Sequence, residues 1–168
     1  MNNEYKYKLV LLGDFYVGKT SLIRKFVFNL FEEKYLTTVG VSITKKQITI
    51  DLNEKINEIT LIIWDINGDN GYSKITPQYL MGASGAIIVA DVTRKETIDN
   101  FKNHINSYLA KNPKGKIVLA LNKSDLIDAE KAQDIIQYTE SLYNPDSSPV
   151  FITSAKEGTD VEKMFSHI

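Results

Sequence analysis

Gly13-Asp14-Phe15-Tyr16-Val17-Gly18-Lys19-Thr20 lies between an apolar run, Tyr7 to Leu12, and a stretch of helical spacing from Gly18 to about Phe28. Strand, glycine-bounded turn and helix in that order are what the pattern GxxxxGK[ST] demands of its surroundings. The glycines open backbone conformations that other residues resist. Successive N–H groups and the helix N-terminus then point at one place and favour an anion there. Lys19 adds a point charge suited to the β- and γ-phosphates of a nucleotide, and the Thr20 hydroxyl is a hard-oxygen ligand of the kind Mg²⁺ takes. Gly13, Asp14, Tyr16, Val17, Gly18, Lys19, Thr20 and Ser21 are therefore the candidate phosphate-binding residues. The alternative is a glycine-rich turn arising by chance, which the flanking strand and helix disfavour.

Working outward, short apolar runs alternate with longer amphipathic stretches. Val41 to Asp51 and Glu58 to Asp65 read as two strands around a turn at Asn53 and Glu54. Gly85 to Val92 and Lys116 to Leu121 are continuous apolar runs, as in strands covered on both faces. Glu96 to Lys111 and Ala129 to Tyr143 have helical spacing, Pro149 to Thr153 is a last short strand, and a helix starts near Asp160. Strands alternating with helices imply an α/β fold with a mostly parallel sheet and right-handed crossovers. Ligands of such sheets sit at the carboxyl ends of the strands, and each motif below follows a predicted strand.

The phosphate loop does not choose a base. Asn122-Lys123-Ser124-Asp125 follows the run KIVLAL and supplies the choice. A carboxylate at Asp125 accepts from the N1–H and the 2-amino group of guanine, whereas adenine offers no donor there. A carboxylate left unpaired is costly, so discrimination of roughly 10⁴-fold is available by this route. Asn122, Lys123, Asp125 and Leu126 are the candidate base-binding residues, joined by Ser154-Ala155-Lys156 after the last strand, where the Ala155 N–H can meet the guanine carbonyl. Trp64-Asp65-Ile66-Asn67-Gly68 ends a strand on a carboxylate followed by a glycine; Asp65 can hold Mg²⁺ through water, and the Gly68 N–H can sense a γ-phosphate. Thr38, in a loop, can reach the metal when a γ-phosphate holds that loop; the alternative is a solvated loop threonine.

Composition bounds the remainder. With 168 residues, 43% hydrophobic and 24% charged, the chain suits one domain, 1–168, able to bury a core without staples. A formal net charge of -1 gives no basic face for nucleic acid. The absence of cysteine excludes disulfides, thiolate metal sites and cysteine nucleophiles and is compatible with a reducing cytoplasm. The start, MNNEYKYK, lacks the apolar core of a signal peptide, and no apolar run approaches the ~20 residues that span a bilayer.

Together these boxes resemble the Ras superfamily of small GTPases from about Tyr5 to Ile168, and GDFYVGKTSLIRKF, YLTTVGVSI and ITPQYLMGASGAIIVADVT are most similar to its Rab branch. The resemblance implies a P-loop NTPase of the Ras-like G-domain type: a mostly parallel six-stranded sheet with one antiparallel edge strand and helices on both faces. It implies GTP and GDP as substrate and product, Mg²⁺ as cofactor, and a monomer acting as a GDP/GTP switch in membrane trafficking or related signalling. An effector, an exchange factor and an activating protein are its implied partners. It implies that Phe31 packs on the guanine, that Tyr35 closes over the phosphates, that Lys19 and Gly68 assist catalysis, and that Ile43, Trp64 and Tyr79 form an effector surface. For Trp64 and Tyr79 the alternative is plain packing. Helical spacing stops at Ile168 without the family's lipidated cysteines; either a tail bearing them has been removed or the protein never carried a lipid, so this chain itself supports no lipid anchor or membrane association, and the cytoplasm is the expected compartment.

The chain departs from the family at several places. Asp69 stands where the family has a catalytic glutamine; an ionised aspartate only accepts hydrogen bonds, is a methylene shorter and repels phosphate. Slow hydrolysis is therefore expected, with Asp69 as a base the alternative. Phe15 replaces a small residue near the γ-phosphate, Ile66 and Asn67 replace a Thr-Ala pair, and the hairpin between Thr38 and Asp65 is longer than usual. These departures keep a second reading open, a GTP-binding adaptor with little or no hydrolysis. A P-loop kinase for a small metabolite is disfavoured because NKSD and SAK would have no role in it.

Overall fold

Alternation along the first strand sets up the whole architecture. In β1 (Glu4–Leu12) the side chains of Leu9 and Leu11 enter one buried cluster and those of Val10 and Leu12 another, on opposite faces of the sheet. A strand buried on both sides must be central, and it is. The computed structural model describes residues 4–33, 38, 40–52, 55–66, 76–143 and 146–168. Within them β1 is followed by α1 (Lys19–Phe28), β2 (Val41–Leu52), β3 (Lys55–Ile66), α2 (Thr76–Leu80), β4 (Gly85–Asp91), α3 (Lys95–Asp99), α4 (Phe101–Leu109), β5 (Lys116–Asn122), a 3₁₀ turn (Ser124–Leu126), α5 (Ala129–Leu142), β6 (Val150–Ile152) and α6 (Val161–His167).

The six strands order as β2-β3-β1-β4-β5-β6. All neighbours are parallel except β2 and β3, which pair antiparallel from Val41 opposite Ile66 to Leu52 opposite Lys55. The antiparallel edge strand and the long hairpin expected from the sequence are both present, while Asn53 and Glu54 lie outside the described residues. The burial of β4, continuous from Gly85 to Asp91, matches its unbroken apolar run. The helices α1 and α6 cover the Leu9 face, and α4 and α5 contribute to the Val10 face.

Two features differ from the sequence reading. The stretch 96–111, expected as one helix, is divided at Asn100, whose φ of -79 and ψ of -5 fall between helical and turn values. Asparagine is a weak helix former, and here its side chain donates to Asp14 Oδ1 at 2.6 Å, a tertiary contact that competes with helix continuity. The short helix α2 was not expected. Five residues carry too little periodicity to register, and its Pro77 stands in the first turn, where no backbone N–H partner is needed.

Phe26 of α1 and Phe165 of α6 stack with centroids 4.1 Å apart and planes 4° from parallel, and both are buried. Truncating the first of a pair leaves a cavity that its rigid partner cannot fill. Phe26→Ala is expected to lower unfolding stability by about 3–5 kcal/mol, read by urea denaturation with an unchanged slope.

Candidate functional site

The segments that follow β1, α1, β5 and β6 meet around a pocket of about 280 Å³. Tyr16, Gly18, Lys19, Thr20, Ser21, Phe31, Thr38, Asn122, Lys123, Asp125, Leu126, Ala155 and Lys156, all expected from the sequence, line it together with Phe15, Glu32 and Glu33. Residues more than 100 positions apart thus share one wall, as strand-end motifs in a parallel sheet should. Tyr35, Gly68 and Asp69 lie outside the described residues.

At one end the loop after β1 turns sharply. Gly13 has φ 139 and Gly18 φ 100, both left-handed values that favour glycine. A Cβ at Gly13 would collide with the Val89 carbonyl, and one at Gly18 with the Asn122 side chain, so both positions also need the space. Lys19 is buried and its Nζ donates to the carbonyl oxygens of Gly13 and Asp14 at 2.9 and 3.0 Å. Burial pushes this ammonium down to about 8; Asp65 and Asp14 act against that shift and Arg94 adds to it. A buried cation held low by desolvation is one that a nearby anion would stabilise. Val17, expected among the nucleotide contacts, has its side chain in the core, and its carbonyl accepts from Asn122 Nδ2 at 2.9 Å. Gly13 and Asp14 are likewise absent from the lining and act on it through Lys19.

Below Lys19, three oxygens converge. Thr20 Oγ1 lies 2.7 Å from Thr38 Oγ1, and both hydroxyls contact Asp65 Oδ2, at 2.5 and 3.0 Å. The other carboxylate oxygen, Asp65 Oδ1, is buried with no hydrogen-bond partner among the described residues. A compact set of hard oxygens beside an unsatisfied buried carboxylate oxygen fits Mg²⁺. Asp65 is at the end of β3 and Thr20 in the first turn of α1, so the chemistry of the set is held by two regular elements.

At the other end Asn122 ties three loops together. Its Nδ2 bonds the Val17 carbonyl, and its Oδ1 accepts from Thr153 Oγ1 at 3.2 Å and from the Ala155 N–H at 3.3 Å. The Ala155 N–H expected to face the base is thus engaged with Asn122 in this structure. Ser154 is buried and donates through Oγ to Asp125 Oδ1 at 2.6 Å, which orients that carboxylate toward the pocket lined by Leu126 and Phe31. Lys156 Nζ stands 3.7 Å from Glu33 Oε1 across the mouth.

Sequence reading missed a second layer. Asp91, at the end of β4, is buried and receives Lys123 Nζ at 2.7 Å and Arg94 Nε at 3.3 Å on Oδ2, with the N–H and hydroxyl of Thr93 on Oδ1. Burial favours its neutral form, but the Lys123 and Thr93 contacts outweigh that and hold its pKa below the ordinary carboxylate value. For Asp14, burial acts in the same direction and is again outweighed, by His104 Nε2 at 2.8 Å, by Asn100, and by Lys19. The signal for Asp91 was available: like Asp65, it is a carboxylate closing an apolar strand. Nothing in the sequence pointed to Arg94 or His104.

Beside the site, Ile43 sits opposite Trp64 in the β2–β3 register and is 50% exposed. Trp64 and Tyr79 rings lie 5.9 Å apart at 44°, and Lys8 Nζ stands 4.0 Å over the indole. Both rings pack against the Val10-face core, so packing and exposure coexist in this cluster. No helix among the described residues is long and apolar enough to cross a membrane.

Comparison with known proteins agrees with this geometry. The sequence profile of the Ras family matches residues 8–168. The chain is 37% identical to "Ras-related protein Rab-1A" of Dictyostelium discoideum, over 98% of this chain and 80% of that one. It is 38% identical to "Ras-related protein RIC1" of Oryza sativa subsp. japonica and 37% identical to "GTP-binding protein ypt1" of Schizosaccharomyces pombe, each over 98% of this chain and 80% of the relative. A Ras-like G domain carrying these boxes in order, with such relatives along nearly its whole length, belongs to the Rab branch of the Ras superfamily of small GTPases.

Proposed function

We propose that this chain is a monomeric GDP/GTP switch that hydrolyses GTP slowly and recruits an effector, in membrane trafficking or a related pathway. The observation that carries the reading is the single pocket that joins the Thr20–Thr38–Asp65 oxygen cluster to Asp125 through Lys19. The phosphates lie along the loop from Asp14 to Ser21, with Lys19 between them. The guanine lies between Phe31, Leu126 and Lys123, with Asp125 reading its edge. Thr20, Thr38 and Asp65, the last through water, hold Mg²⁺, which supplies positive charge to the phosphate oxygens. Switch loops ordered by a γ-phosphate then differ between the two nucleotide states, and Ile43, Trp64 and Tyr79 present that difference to an effector. An exchange factor and an activating protein complete the cycle in the cytoplasm, the compartment that supplies GTP.

The phenyl ring of Phe15 on the pocket wall favours a second reading, an adaptor that holds GTP with little turnover, because a bulky ring there obstructs an arginine supplied by an activating protein. Chromatography of the nucleotide released when the purified protein is denatured separates the two. GDP supports the switch, GTP the adaptor, and the absence of any guanine nucleotide together with no GDP binding on titration refutes both.

The metal assignment gives its own expected result. Thr20→Asn removes one hydroxyl from the oxygen cluster, and the GTP state leans on the metal more than the GDP state does. GTP affinity is expected to fall about tenfold or more beyond the loss for GDP, read by fluorescent-nucleotide competition in Mg²⁺. Equal losses for both nucleotides would remove Thr20 from that role.

A further inference from the structure

Arg94 is the one cation that touches both the phosphate loop and the buried carboxylate behind it in the hydrogen bonds of the described residues. Its Nη2 donates to the Phe15 carbonyl at 2.7 Å and its Nε to Asp91 Oδ2 at 3.3 Å. The peptide between Phe15 and Tyr16 is trans. In a trans peptide the carbonyl and the following N–H point in opposite directions across the same plane. Fixing the Phe15 carbonyl on Arg94, which does not line the pocket, therefore turns the Tyr16 N–H away from Arg94, and Tyr16 is a pocket-lining residue. Tyr16 has φ 60, a left-handed conformation that a tyrosine resists. The loop thus needs an external hold to keep this peptide in place, and the guanidinium supplies it, with its second arm anchored on a carboxylate itself braced by Thr93 and Lys123.

We propose that Arg94 is a positioning residue for phosphate binding: it clamps the Phe15–Tyr16 peptide so that the Tyr16 N–H faces the β-phosphate, and through Asp91 it links that clamp to Lys123 on the base side. The proposal rests on the guanine-nucleotide reading of the pocket. Two features of the geometry make the role specific. Nε and Nη2, two nitrogens of one rigid planar fork, reach acceptors on different elements, a spacing the single nitrogen of an ammonium does not have. Asp91 Oδ2 is shared by Arg94 and Lys123, so a shift of either cation is felt by the other.

The test compares wild type, Arg94→Met, which keeps the alkyl length and loses the donors, and Arg94→Lys, which keeps the charge and loses the fork. GDP and GMP affinities are measured by titration calorimetry on nucleotide-stripped full chain in Mg²⁺, with the Tyr16 amide followed by ¹H–¹⁵N NMR in the GDP complex. Arg94→Met is expected to weaken GDP about 10- to 100-fold, the worth of a hydrogen bond to a charged group, while GMP, which has no β-phosphate, binds as to wild type. The Tyr16 amide proton is expected to move upfield as its phosphate bond weakens, and Arg94→Lys to recover little of the GDP loss. Equal losses for GDP and GMP would show a general structural role and overturn the proposal, as would full GDP affinity in either variant or an unmoved Tyr16 amide. Failure of wild type to bind GDP would bring down the underlying reading as well, whereas intact wild-type binding with intact Arg94→Met binding overturns this inference alone.

Discussion

Asp125→Asn is expected to lower GDP affinity by roughly 10³–10⁴-fold and to shift preference to xanthine nucleotides. Guanine offers two donors on one edge, N1–H and the 2-amino group, and a carboxylate with both lone-pair oxygens turned to that edge accepts both. The structure shows how the carboxylate is aimed: Ser154 Oγ holds Asp125 Oδ1 at 2.6 Å from a fully buried position. Asparagine keeps the shape and turns one acceptor into a donor, which faces the guanine amino group with another amino group. Xanthine has a carbonyl at that position, so the same donor becomes matched. Competition binding against fluorescent GDP, with xanthosine diphosphate as the second ligand, reads both halves of the prediction. Undiminished GDP affinity in Asp125→Asn would remove this residue from base recognition.

Asp69→Gln is expected to speed single-turnover GTP hydrolysis by roughly 10²–10³-fold at saturating Mg²⁺, the amount one well-placed donor contributes in comparable sites. Hydrolysis of this kind rests on positioning and charge stabilisation. A glutamine amide both accepts from the attacking water and donates to the phosphate, whereas an ionised aspartate repels the phosphate. If Asp69→Gln instead slows the reaction as much as Asp69→Ala does, aspartate is working as a base and the assignment is wrong. If the rate is unmoved, Phe15 or the altered Ile66-Asn67 pair is the next barrier. The Phe15 ring lies on the pocket wall and its centroid is 3.6 Å from that of Tyr16. Phe15→Ser in the Asp69→Gln background then separates the two obstructions.

The strand order and the site emerge from different kinds of information. GDFYVGKT, NKSD and the carboxylate closing β3 were legible because each acts through local backbone geometry: a turn that needs glycine, an N–H cluster at a helix start, a side chain leaving a strand end. The apolar runs GAIIVADV and KIVLAL announced buried parallel strands for the same reason, since a strand covered on both faces cannot alternate. Helix α2 and the break at Asn100 were not legible. The first is too short for a helical period, and the second depends on a hydrogen bond to Asp14, 86 positions away.

By itself, then, the sequence determined the fold class, the family, and most of the residues that line the pocket. Only the tertiary structure decided how those groups are held. Arg94 meets the Phe15 carbonyl across 79 positions, His104 meets Asp14 across 90, and Lys123 meets Asp91 across 32. None of these pairs has a local signature: the apolar run GAIIVADV marks Asp91 itself, but neither it nor Arg94 nor His104 carries any mark of its partner. Their partnership arises when parallel pairing of β1, β4 and β5 brings the three strand ends into one layer, where a carboxylate as buried as Asp91 must find cations to remain charged.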